Sequence, residues 1–396
     1  MENDKRTGIE ARCQKVHLRN GTEKSSGSRS GMMFDRRLIK NFDWVLLLLT
    51  LAMIGVGLIN LYSATSSQEG HQVFYRQLLW VCVGFGLLFV SLFFNYHRLE
   101  KYAFHFYAVG LVLLTVVLFL GQTISGSKRW LVLGPLSFQP SEITKLIIII
   151  VLARLFYQRP FKKPLGFFDL FFPALLVGVP FLLVLKEPDL GTALMIAFVA
   201  GSMILFVGVR LRTLVTMVGS VVFFTPLVWN FLKDYQKQRI ITFLHPEQDP
   251  LGSGYHILQS KIAVGSGQWA GKGFMQSTQS HLHFLPEHHT DFAFSVLAEE
   301  WGFLGALITI LLLLVIMLWG LLVARSSKDM FGSLVALGIV SMFFWQSVIN
   351  ICMVTGMLPV VGMPLPFISY GGSSIITNML ALGLLLNVSM RRFLFK

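Results

Sequence analysis

Charge is what this sequence has least of. Only 13% of its 396 residues are Asp, Glu, Lys or Arg, while 54% are hydrophobic; soluble domains carry roughly 25% charged residues. So little polar material cannot coat the core that the apolar residues would form, which excludes an ordinary water-soluble enzyme and assigns the chain to a bilayer. Acidic residues are scarcest, 20 against 33 Lys and Arg, for a formal net charge of +13. Such an excess can signal nucleic acid, so the positions of the cations have to decide. Cysteine is nearly missing: Cys13, Cys82 and Cys352 are too few and too scattered for a disulfide framework or a zinc site. There is no internal repeat, so a transporter built from inverted repeats gains no support.

What is abundant is long apolar sequence. A bilayer core about 30 Å thick needs about 20 apolar residues as a helix, and ten segments qualify, starting near Trp44, Leu78, Ala103, Ile143, Phe167, Gly191, Leu214, Phe303, Phe331 and Ile368. The expected fold is an all-α polytopic membrane protein of about ten helices. Ten crossings put both termini on one side. Sixteen Lys and Arg flank the segments on that side, among them Arg36, Arg37, Lys40, Arg154, Arg325, Arg391 and Arg392, whereas the short connections opposite hold only Arg76, Lys128, Arg129 and Lys186. The positive-inside bias therefore places both ends in the cytoplasm. The charge is mostly an orientation signal, and no nucleic-acid partner is expected.

Residues 1–33 are a polar, Ser/Gly-rich tail without the apolar stretch of a secretory signal. They are expected to be disordered, and Met32 and Met33 suggest an upstream start-site artefact. The membrane domain runs over 34–396. Its one large connection, 233–291, is an extracytoplasmic loop between the seventh and eighth helices, with a short amphipathic helix expected over Tyr255 to Val264.

Charges within or beside the apolar segments are the first functional suspects, because burying each one costs energy. Glu142 and Lys145 open the fourth segment three residues apart, on one helical face. They either neutralise each other or face a polar cavity with Arg129 and Arg76, a plausible seat for a diphosphate. Asp189, after Lys186-Glu187-Pro188, either caps the helix that follows or binds a divalent ion or a sugar hydroxyl. Asp291 ends Glu287-His288-His289-Thr290-Asp291. It is either a cap or a base, reached from outside yet set against an apolar helix. The histidines do not follow a zinc pattern. Gly267 to Gly273 with Lys272 lacks the spacing of a phosphate-binding loop, so these glycines read as tight turns. Finally, the run from Pro359 to Ser374, with Ser369 and Ser373, cannot be helical throughout and should line the same cavity.

On these residues the chain resembles the SEDS family (shape, elongation, division and sporulation), and its elongation branch more than its division branch. The marks are Arg129-Trp130, Gln139-Pro140-Ser141-Glu142 with Lys145, Pro188-Asp189-Leu190-Gly191-Thr192, His289-Thr290-Asp291-Phe292 and Pro364 to Ser373, in that order. Glu187 stands where many relatives have Gln. The resemblance covers Phe34 to Lys396 and implies a peptidoglycan glycosyltransferase that polymerises lipid II at the outer face of the bacterial cytoplasmic (inner) membrane during cell elongation. It also implies Asp291 as the catalytic residue, a class B penicillin-binding protein transpeptidase as partner, and other proteins of the elongation complex. Arg76, Arg129, Glu142, Lys145, Asp189, Ser369 and Ser373 are the candidate substrate contacts. Mg²⁺ or another divalent cation at Glu142 or Asp189 is the only cofactor expected, with no organic cofactor. A lipid II flippase and a noncatalytic membrane scaffold are the competing functions.

Overall fold

The computed structural model describes residues 41–392 apart from 67–71, 125–126, 134–135, 159–163, 232–233, 250–251 and 282–288. The tail over 1–33 lies outside the described residues, as do Arg36, Arg37, Lys40, Glu287 and His288.

Thirteen α-helices, two single-turn 3₁₀ helices (Phe168–Leu170 and Pro246–Gln248) and three short strands make up the described chain. The bundle comprises α1 (Trp44–Ala64), α2 (Gln72–Phe93), α3 (His97–Leu120), α4 (Pro140–Gln158), α5 (Phe171–Lys186), α6 (Leu190–Val207) and α7 (Leu211–Phe231). After three short α-helices in the 233–291 connection, described below, it continues with α11 (Ala293–Ser326), α12 (Met330–Val354) and α13 (Gly372–Arg391). Eight of these are long and apolar enough to cross a membrane. The remaining two are α4, which carries Glu142, Lys145 and Arg154, and α7, whose shorter apolar stretch is Leu211–Leu227. The expectation of an all-α polytopic membrane protein therefore holds.

Local chemistry explains the boundaries. Asp43 caps α1 by accepting from the Leu46 amide at 3.2 Å, so the helix starts at Trp44 as read from the sequence. The helix read as starting near Phe303 begins ten residues earlier, at Ala293, and breaks at Gly302, whose φ is +65°. Hydropathy detects only its long second segment, because the first holds the buried Glu299 and Glu300. The break is possible because Gly302 meets Gly271, itself at φ +80°, backbone to backbone; a Cβ on Gly302 would lie 2.3 Å from the Gly271 nitrogen. The 267–273 glycines are thus turns, as expected, and also a close-packing surface.

Two regions add structure beyond that read from the sequence. A three-stranded antiparallel sheet, β1 (Gln122–Ile124), β2 (Ser127–Leu133) and β3 (Leu136–Phe138), joins α3 to α4. The 233–291 connection holds α8 (Asp234–Leu244), α9 (Ser253–Ser266) and α10 (Thr278–His281). Of these, α9 realises the amphipathic helix expected there, and Ser260 Oγ on it donates to the Val354 carbonyl at 2.7 Å, seating it on α12. The expected interruption before the last helix is real, since 359–371 is non-helical and α13 starts only at Gly372.

Candidate active site

The sheet, the start of α4, the α5–α6 turn, α8, the start of α11 and the 359–371 segment converge on one cavity of about 690 Å³. That volume suits a sizeable ligand. Trp80, Trp130, Met195, Val361 and Met363 supply apolar wall; Arg129, Glu142, Lys145, Asp189, Arg239 and Asp291 supply charge.

Strand alternation aims the first cation. Lys128 turns away and donates to the Phe119 carbonyl at 2.8 Å, whereas Arg129 lines the cavity and lies 3.6 Å from Asp189 Oδ2. Pro140 opens α4, where its fixed φ costs nothing. Gln139 before it ties three elements together: its amide donates to Ser373 Oγ at 3.0 Å and its Nε2 donates to Asp189 Oδ2 at 2.7 Å. One turn along, Lys145 Nζ donates to Glu142 Oε1 at 2.8 Å. Both side chains are buried, and Glu142 Oε2 has no partner.

Asp189 is the helix cap that one reading expected, and it also lines the cavity. It caps α6 through the Thr192 amide (3.1 Å) and hydroxyl (2.9 Å), and the same carboxylate takes Arg129 and Gln139. Glu187 beside it is buried with neither oxygen partnered. Burial first, then the charge of Asp189, pushes its carboxyl up from the ordinary 4.5 to about 8, against the pull of Arg129.

Asp291 lines the cavity just before α11. The N-cap of that helix is Phe292, so neither Thr290 nor Asp291 takes the capping position. Gly362 faces the carboxylate: its φ is +72°, and a Cβ there would sit 3.4 Å from Asp291 Oδ2. The Tyr370 amide donates to the His289 carbonyl at 2.9 Å, which binds this segment to the 359–371 run.

Arg129, Glu142, Lys145, Asp189, Ser373 and Asp291 are therefore brought together as expected. Two candidates stand apart. Arg76 is exposed and hydrogen-bonds the hydroxyl of Tyr370, a lining residue, so it belongs to the rim; burial raises the Tyr370 phenol and Arg76 opposes the rise. Ser369 does not line the cavity; it staples its own loop, accepting from the Leu365 amide at 2.9 Å. Arg239 lines the cavity and was missed. It lay in a long polar loop where a cation carries little orientation information.

These features define a class: a polytopic helical membrane protein whose charges collect in one cavity at one end of the bundle. The cell cycle protein family FtsW/RodA/SpoVE matches residues 41–393, and the chain belongs to that family. It is 39% identical over 354 residues to peptidoglycan glycosyltransferase MrdB of Escherichia coli strain K12, covering 89% of this chain and 94% of that protein. Peptidoglycan glycosyltransferase RodA of Treponema pallidum is 31% identical, with 90% and 99% covered. Among solved structures, Thermus thermophilus rod shape determining protein RodA aligns with a TM-score of 0.67 at 30% identity, covering 89% of this chain and 98% of that one. A chain from a peptidoglycan synthase complex, described for its coordination of polymerization and crosslinking, aligns at 0.78 with 34% identity and the same coverage.

Proposed function

We propose that this peptidoglycan glycosyltransferase polymerises lipid II at the outer face of the bacterial inner membrane, with Asp291 as general base. The observation that carries the reading is the meeting of Arg129, Lys145 and Arg239 with Asp291 in one cavity that also has apolar wall. Lipid II presents a sugar on a diphosphate whose lipid stays in the bilayer, so its holder needs cations beside an apolar surface. Asp291 takes the proton from the acceptor sugar's 4-hydroxyl as that oxygen attacks the donor's anomeric carbon. Configuration inverts and undecaprenyl diphosphate leaves. Such a base contributes about 10²–10⁴ in rate, and cations on the leaving diphosphate supply electrostatic stabilisation.

Ten crossings with both termini in the cytoplasm are part of this reading, supported by the cation bias. So is elongation as the process served. A class B penicillin-binding protein transpeptidase is the expected partner, alongside other elongation-complex proteins; the solved complex that joins polymerization to crosslinking supports this.

A resident divalent cation fits this site poorly. No group of three or more Asp, Glu, His or Cys is placed to hold one among the described residues, and Asp189 is engaged by Arg129, Gln139 and Thr192. Glu142 Oε2 is unpartnered, and it suits Mg²⁺ or another divalent ion arriving on the diphosphate better than a bound cofactor.

The test is lipid II polymerisation by purified, partner-bound protein. Asp291→Asn is expected to abolish strand formation while the complex stays assembled; full polymerisation by that variant would sink the assignment.

A further inference from the structure

The catalytic carboxylate needs a rigid mount, because a misplacement of about 1 Å costs about 10²-fold in rate. Asp291 stands just outside α11, before its Phe292 N-cap, so its carbonyl lies beyond the helix's own hydrogen-bond ladder: the Ser295 amide donates to Phe292, at 2.9 Å. The Asp291 carbonyl is taken instead by a side chain from another helix. Asn350, wholly buried in α12, donates its Nδ2 to the Asp291 carbonyl at 2.9 Å and to the Met363 carbonyl at 2.6 Å. Met363 lines the cavity next to Gly362, which abuts the Asp291 carboxylate. One NH₂ group therefore ties together the backbone on both sides of that carboxylate. A second brace comes from α1, where Asn60 Nδ2 donates to the Ala293 carbonyl at 2.9 Å.

We infer that Asn350 is a positioning residue for the transfer reaction, holding the Asp291 backbone in register with the 359–371 segment. Only an amide of this length offers two N–H donors on one nitrogen at that spot. Leucine would leave two buried carbonyls unpaired, and aspartate would set a carboxylate against them. Nothing in the sequence alone pointed to it: Asn350 sits in an apolar run, and its two partners lie 59 and 13 residues away along the chain.

The inference rests on Asp291 acting as the base, so the two are tested side by side in the partner-bound protein. Asn350→Leu is expected to lower kcat for lipid II polymerisation by about 10²-fold with KM unchanged. Asn350→Ser, whose hydroxyl can serve one carbonyl, should fall between and should shift the acid limb of the kcat against pH profile. Loss of folded enzyme alone would lower the apparent kcat without moving that limb. Wild-type kcat in both variants, or an acid limb that stays in place in Asn350→Ser, overturns the inference; if the leucine variant fails to fold, the serine variant decides. An inactive Asp291→Asn beside fully active Asn350 variants would remove only the positioning role. An active Asp291→Asn would remove the base assignment itself.

Discussion

Two Lys–Glu pairs lie in the same protein and differ in what is left over. Glu299, buried on the first segment of α11, is saturated: Lys272 Nζ donates to it, as do the Ser277 hydroxyl, the Thr278 amide at 3.0 Å and hydroxyl at 2.9 Å, and the Gln279 amide at 3.4 Å. Its neighbour Glu300 takes the Ser63 hydroxyl of α1. This pair clamps the 267–279 segment to the broken helix, and it does not line the cavity. Glu142 has Lys145 and one oxygen to spare, and both residues line the cavity. A carboxylate with every lone pair engaged is a fastener, whereas one with spare capacity beside a cavity can respond to a ligand. Glu187 extends the series to a carboxyl with no partner at all, which burial holds in its neutral form.

The sharpest way to break this contrast is to neutralise each pair together. Glu142→Gln with Lys145→Met should reduce kcat/KM for lipid II by about 10²–10³-fold, the loss typical of removing electrostatic stabilisation from a closed site. Glu299→Gln with Lys272→Met should leave kcat/KM close to wild type, because that pair stands outside the cavity. Equal losses in the two doubles would erase the distinction.

Next in size is the effect on stability. Glu299→Ala strands the buried Ser277 hydroxyl and should cost about 3 kcal/mol, the low end for a broken buried pair because Lys272 can turn to water. The melting temperature of the purified protein checks this.

The effect of Glu187 shows only as pH changes. Its folded pKa of about 8 lies above the ordinary 4.5, so the native state keeps a proton that the unfolded chain releases. Stability should therefore fall as pH rises between those values and level off above about 8. Glu187→Gln should remove that slope, melting at the same temperature as wild type in acid and higher at pH 8. A variant with the wild-type slope would show that the carboxyl is not held neutral.

How much of this could be read from the sequence depended on whether the signal was local. Trp44 as the start of α1, the non-helical Pro359 to Gly371 run and the grouping of Arg129, Lys145, Asp189 and Asp291 came through, because scarcity makes each charge in an apolar chain conspicuous. Asp189 could be read as cap or site; the cap is formed, and the same carboxylate faces the cavity because it has lone pairs to spare for Arg129 and Gln139. The beginning of α11 was misplaced by ten residues, since Glu299 and Glu300 lower the hydropathy there and only their distant partners make them affordable. Asn350, Glu187 and Arg239 depend on which elements meet, and pairings far apart along the chain leave no trace in local composition.

The pairing of α2 with α13 has a consequence for how the protein is made. Asn387 near the end of α13 donates to the carbonyls of Ser91 and Phe94 at 2.6 Å, and Gly84 and Gly383 let the two helices touch closely along their length. The second helix to leave the ribosome therefore waits for the last before its packing is complete. Gln139, at the cavity, likewise waits for Ser373. A chain whose synthesis stops early carries every charged cavity residue but lacks the wall that organises them, so catalytic competence arrives only with the final helix.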